Sequence, residues 1–115
     1  MGPTPQIDVD TERAARAFIA KIASQYDLAG AILFGSRARG NFRRESDADI
    51  AVLLQGAPGR RVDATLMMAD VAFDVMLETG VLIEAIPFWA EEWEHPERFS
   101  NPALIENIRR EGICL

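Results

Sequence analysis

Gly35-Ser36-Arg37-Ala38-Arg39-Gly40, followed after a short polar loop by Ser46-Asp47-Ala48-Asp49-Ile50-Ala51-Val52-Leu53-Leu54, is the stretch around which the chain is organised. Ahead of it, Ala31-Ile32-Leu33-Phe34 is an apolar run that stops at a glycine-serine pair, the pattern of a buried strand entering a turn that a ligand can approach closely. A phosphate suits such a turn, because free N–H groups at the start of a short helical turn point at whatever lies over Ser36. Beyond the loop, Asp47 and Asp49 open a second apolar run. The side-chain period of two puts both carboxylates on one strand face, roughly 6–7 Å apart, within reach of one or two shared divalent ions. Ile50, Val52 and Leu54 then face one way, and Asp47, Asp49, Ala51 and Leu53 the other.

The 115 residues, 49% of them hydrophobic, suffice for one packed core, so a single domain over residues 1–115 is expected. Twelve basic against eighteen acidic residues give a net charge of −6, which argues against direct nucleic-acid binding through a broad basic surface. Four of the twelve basic residues, Arg37, Arg39, Arg43 and Arg44, nevertheless fall between the glycine turn and the aspartate pair, where a triphosphate would need them. No run approaches the roughly 18 apolar residues of a membrane span, and no secretion signal opens the chain, so a soluble protein of the cytoplasm is expected. The single cysteine, Cys114, cannot form an internal disulfide.

Residues 1–9, with Pro3 and Pro5, read as a flexible lead-in. Asp10 or Thr11 is the expected N-cap of a first helix that carries Ala14, Ala15, Phe18, Ile19, Ile22 and Ala23 at helical spacing and ends near Tyr26-Asp27. A strand over 29–34, the glycine turn and a strand over 47–54 follow. A second long helix is expected from about Val62 to Glu78, bearing Leu66, Met67, Met68, Val71, Phe73, Val75 and Leu77 and closed by Gly80. Asp63, Asp70, Asp74 and Glu78 fall along one side of it and read as a solvated face. Residues 81–88 form the third expected strand, and the core spans about 10–88. The C-terminal part, 89–115, concentrates aromatics in Trp89, Trp93 and Phe99, next to Phe88, and closes with a helix that has Ser100 or Asn101 before Pro102 and Gly112 at its end. Those rings either cover an edge of the core or present a contact surface. His95 beside Pro96 reads as a turn residue, since Glu91 and His95 without a third partner make no zinc site.

The glycine turn and the Ser46-Asp47-Ala48-Asp49 run together resemble the minimal nucleotidyltransferases of the DNA polymerase beta-like superfamily, over about Tyr26 to Ile86. The resemblance implies an α/β (α+β) fold, a small mixed β-sheet packed against helices. It implies transfer of AMP from ATP to a hydroxyl with Mg2+ in a two-metal site. By the same likeness, Gly35, Ser36, Arg37, Arg39 and Ser46 would bind the nucleotide, and Asp47 and Asp49 would hold metal and act in catalysis. A third carboxylate normally comes from the strand after the long helix. Glu84 matches that position, a glutamate where an aspartate is usual, and is either the third catalytic and metal-binding carboxylate or a solvent-facing strand residue; Asp74 is the second choice. The likeness also implies a partner, a helical toxin of the HEPN class adenylylated on a tyrosine, which would make this chain the antitoxin. The alternative is an inactive fold that caps its partner stoichiometrically.

Overall fold

The computed structural model describes residues 7–115. Most of the expected lead-in therefore lies outside the described residues, but its last part does not: the first helix, α1 (Val9–Ala23), begins inside it. Its N-cap is Asp8, not Asp10 or Thr11, because the Asp8 carboxylate accepts a hydrogen bond from the Thr11 N–H at 3.3 Å. Asp10 and Glu12 then lie in the first turn, where acidic groups meet the positive end of the helix dipole. The helix also stops earlier than expected, since the Gln25 and Tyr26 N–H groups both turn back onto the Ile22 carbonyl at 2.9 Å.

After α1 come β1 (Leu28–Phe34), the single-turn helix α2 (Ser36–Arg39), β2 (Ala48–Leu54), the long α3 (Arg61–Thr79) and β3 (Ile83–Trp89). The chain ends with α4 (Ala90–Glu94), a 3-10 turn at Pro96–Arg98, α5 (Pro102–Glu111) and β4 (Ile113–Cys114). Gly80 closes α3 at φ 81°, a left-handed conformation that glycine adopts without strain. The strands form one mixed sheet in the order β3-β2-β1-β4. β1 runs antiparallel to β2 and β4, while β2 and β3 are parallel, joined through α3 as parallel neighbours require. Pro87 lies within β3, tolerated there because β3 is an edge strand.

The alternation expected for β2 divides the core. Ile50, Val52 and Leu54 pack under α1 and α3, against Phe18, Ile22, Met68 and Val75. Ala51 and Leu53 face the opposite layer, where Phe88, Ile105 and Ile108 are buried. The aromatic segment covers the sheet here: Phe88 sits 5.6 Å from the Trp93 ring and 5.1 Å from Phe99. Arg61 fastens this layer to the start of α3, lying over the Trp89 and Phe99 rings and pairing with Glu92.

Candidate active site

Three neighbouring strands deliver the site from their ends. The register sets Phe34 opposite Asp49 and Asp49 opposite Glu84, so the glycine turn, the aspartate and the glutamate lie side by side across β1, β2 and β3. Gly35 has φ 77°, and a Cβ built on it would run into the Asp49 carboxylate. Glycine is therefore required twice, by its own conformation and by the approach of Asp49. Asp49 and Glu84 share the sheet face of Ala51 and Phe88, because register partners in a parallel pair point the same way.

Like charges are concentrated here. Asp49 is half-buried, and its pKa is raised to about 6, first by loss of solvent and then by the charges of Glu84 and Asp47; Arg39 offsets part of the effect. Among the described residues the side-chain carboxylates of Asp47, Asp49 and Glu84 have no hydrogen-bond or ion-pair partner within the protein, although Asp49 and Glu84 are paired through the backbone of the sheet. Among the described residues no group of three or more histidine, cysteine, aspartate or glutamate side chains is gathered closely enough to hold a metal ion. The three carboxylates stand as neighbours around one raised pKa, and Asp74, exposed on α3, is not among the charges acting on Asp49.

The residues expected to hold a nucleotide divide into two groups. Gly35, Ser36 and Arg39 stay at the turn: the carbonyls of Gly35 and Ser36 accept the N–H groups of Ala38, Arg39 and Gly40, and the Arg39 guanidinium is exposed. Arg37 goes elsewhere. It is buried, with Nη1 donating to Thr11 Oγ1 at 2.8 Å, Nε to the Ser46 carbonyl at 2.9 Å and Nη2 to the Arg44 carbonyl at 3.0 Å, while the Phe42 ring lies 4.6 Å from its Cζ. It tethers the 41–46 loop to α1, with each of its three guanidinium nitrogens donating within the protein. Ser46 belongs to the same tether, since its hydroxyl accepts the Arg43 N–H at 2.9 Å.

Residues 18–84 match the family described as polymerase beta, nucleotidyltransferase. The chain belongs to that family. A Methanocaldococcus jannaschii protein provisionally named a protein adenylyltransferase is 31% identical over 109 residues, covering 93% of this chain and 99% of its own length. A second protein of that organism with the same provisional name is 37% identical over 60 residues; the match covers 52% of this chain but only 41% of the relative. In fold, the chain is similar to the crystal structure of a protein from Sulfolobus solfataricus, provisionally named a nucleotidyltransferase, with a TM-score of 0.52 at 19% identity over 97% of this chain and 90% of that one.

This nucleotidyltransferase carries one site residue that its sequence did not point to. Glu111, the last residue of α5, accepts the Gly35 N–H at 3.2 Å and both of its oxygens take Arg39 Nη1, at 3.2 and 3.1 Å. β4 makes this possible by pairing Ile113 with Leu33 and Cys114 with Ile32, which pins the end of α5 beside the turn. A Cβ on Gly112 would strike the Ile108 carbonyl and the Ile32 side chain, so the corner from α5 into β4 needs glycine. A two-residue strand has no period to read, and Glu111 lies 76 residues from Gly35 in the chain, so no local signal announced the contact. As for a metal, the chemistry of these carboxylates, oxygen donors with no soft ligand beside them, suits a hard divalent cation, while their placement does not gather them as a ready set of three.

Proposed function

We propose that the chain transfers AMP from ATP to a hydroxyl with the help of Mg2+, and that its acceptor is a tyrosine on a partner protein of the helical HEPN-toxin class, which it silences as an antitoxin. The observation that carries this reading is the register of Asp49 against Glu84, beside a glycine turn that only Gly35 can make. The name protein adenylyltransferase, borne by a relative that aligns over nearly its whole length, supports a protein acceptor.

In this reading the Gly35 N–H, the Ser36 end of α2 and the Arg39 guanidinium bind the β- and γ-phosphates and place the α-phosphorus over the ends of β2 and β3. Asp47, Asp49 and Glu84 would hold the metal, which, when bound, offsets the negative charge that builds on the attacking and leaving oxygens. The acceptor oxygen bonds to the α-phosphorus, the bond from that phosphorus to the bridging oxygen breaks, and pyrophosphate leaves. The acceptor proton passes to Glu84, the most exposed of the three carboxylates.

The test is to incubate the protein with Mg2+ and ATP labelled at the α-phosphate, with the products of neighbouring genes, alongside Asp47→Asn, Asp49→Asn and Glu84→Gln. Label on a tyrosine of the partner, lost in the aspartate variants, supports the reading. Tight partner binding with no label moved would overturn it in favour of stoichiometric capping.

A further inference from the structure

Helix α3 is apolar on two opposite sides. Ala64, Met68, Val71, Ala72 and Val75 are buried against α1 and the sheet. Val62, Leu66, Ala69, Phe73 and Leu77 recur at spacings of four, three, four and four, which places them in one stripe on the far side, about 22 Å long. The four large ones are 61%, 60%, 53% and 69% exposed. Of the seven large apolar side chains exposed among the described residues, these four and Leu82 are five. So dense a patch on one helix is not the scattered exposure of ordinary surfaces.

The stripe has two unlike flanks. On one side run Asp63, Asp70, Asp74 and Glu78; Arg60 pairs with Asp63 at 3.7 Å and Lys21 with Glu78 at 3.1 Å, leaving Asp70 and Asp74 without an ion-pair partner among the described residues. On the other side a groove of about 480 Å3 opens between α3 and β3. Thr65, Ala69, Leu82 and Ala85 line it, and Asp47 and Glu84 stand within it. The apolar face is thus continuous with the site carboxylates.

We propose that the outer face of α3 docks the acceptor: an amphipathic helix of a partner protein, apolar toward the stripe and basic along the edge that meets Asp70 and Asp74, lying so that a hydroxyl-bearing side chain enters the groove at Asp47 and Glu84. A second copy of this chain suits the surface less well, because antiparallel self-pairing of the stripe brings each acidic row against its twin in a chain of net charge −6. Presentation of the hydroxyl rests on the transfer reading above, whereas docking to the stripe does not.

Two synthetic peptides of one helical apolar pattern test this, one with lysine and one with glutamate at the flanking positions, each carrying a single tyrosine. Their binding to the full chain is read by fluorescence anisotropy in parallel with label transfer from α-labelled ATP. The lysine peptide is expected to bind about tenfold more tightly, to lose about tenfold in affinity to a Leu66→Ser/Phe73→Ser variant, and to lose its advantage over the glutamate peptide in Asp70→Lys/Asp74→Lys. These side chains are exposed, so the variants are expected to fold, which circular dichroism checks. Equal binding of both peptides, or binding indifferent to Leu66→Ser/Phe73→Ser, overturns the docking face. Sedimentation that shows a dimer of the free chain, abolished by that same variant, overturns it in favour of self-association. Charge-selective, stripe-dependent binding without label transfer upholds the docking face and counts against the transfer chemistry alone; label transfer that ignores the stripe does the reverse.

Discussion

The two ends of the site are built on opposite electrostatic terms. At the glycine turn the positive groups are already answered from within: Gly35 N–H and Arg39 by Glu111, and Arg37 by Thr11, Arg44 and Ser46. One strand away, burial first and then the charges of Glu84 and Asp47 push Asp49 up to a pKa of about 6. A protein selected for stability alone would not leave three carboxylates so placed, whereas one that binds cations there would. In the transfer reading proposed above, a triphosphate would take the turn over from Glu111, and the carboxylate end would gain its compensating charge from the metal.

Breaking the carboxylate end should have the largest effect. Asp49→Asn is expected to lower label transfer on the order of a thousandfold, read as initial rate at saturating ATP, because charge stabilisation at the reacting phosphorus is lost. Next comes the scaffold behind the turn. Arg37→Met strips the hydrogen bonds to Thr11, Ser46 and Arg44 and should cost about 2–3 kcal/mol in urea denaturation; the loss would be near zero if Arg37 were free to serve a phosphate.

Smaller effects sharpen the contrast. Because the folded-state pKa of Asp49 lies above its ordinary value of 3.8, the native state holds the proton more tightly, and stability falls as pH rises from about 4 to 6. Asp49→Asn should therefore be more stable than the parent above pH 6, by about 1 kcal/mol after allowance for solvent screening, and no more stable below pH 4, as thermal melts across pH would record. Smallest is Glu111→Gln. Removing a carboxylate from the phosphate turn should tighten ATP binding about threefold by calorimetry, with little change in melting temperature, since its pair with Arg39 is partly exposed.

The parts of this arrangement that the sequence disclosed are those with a local cause. Apolar runs marked β1 and β2, and two of the four positive-φ glycines among the described residues, Gly35 and Gly80, marked a turn and a helix end. The family likeness added Glu84, which stands opposite Asp49. What stayed hidden depends on three dimensions. Arg37 and Arg39 look equivalent in the sequence, yet two residues on a helical turn point about 200° apart, one into the core and one outward. Glu111 reaches the site only because β4, two residues long, pairs with β1. The apolar residues of α3 fall on two faces of the helix, and it is the packing that decides that Met68, Val71 and Val75 are buried while Leu66, Phe73 and Leu77 stay exposed.

The most direct test of the carboxylate end is a Mn2+ titration followed by electron paramagnetic resonance, with an ATP analogue whose α,β-linkage cannot be cleaved, on the parent chain, Asp49→Asn and Glu84→Gln. The parent is expected to remove about two Mn2+ per chain from solution when the analogue is present, and each variant to bind fewer or more weakly. Uptake by the parent no greater than by Asp49→Asn would contradict the assignment of Asp47, Asp49 and Glu84 as a metal site.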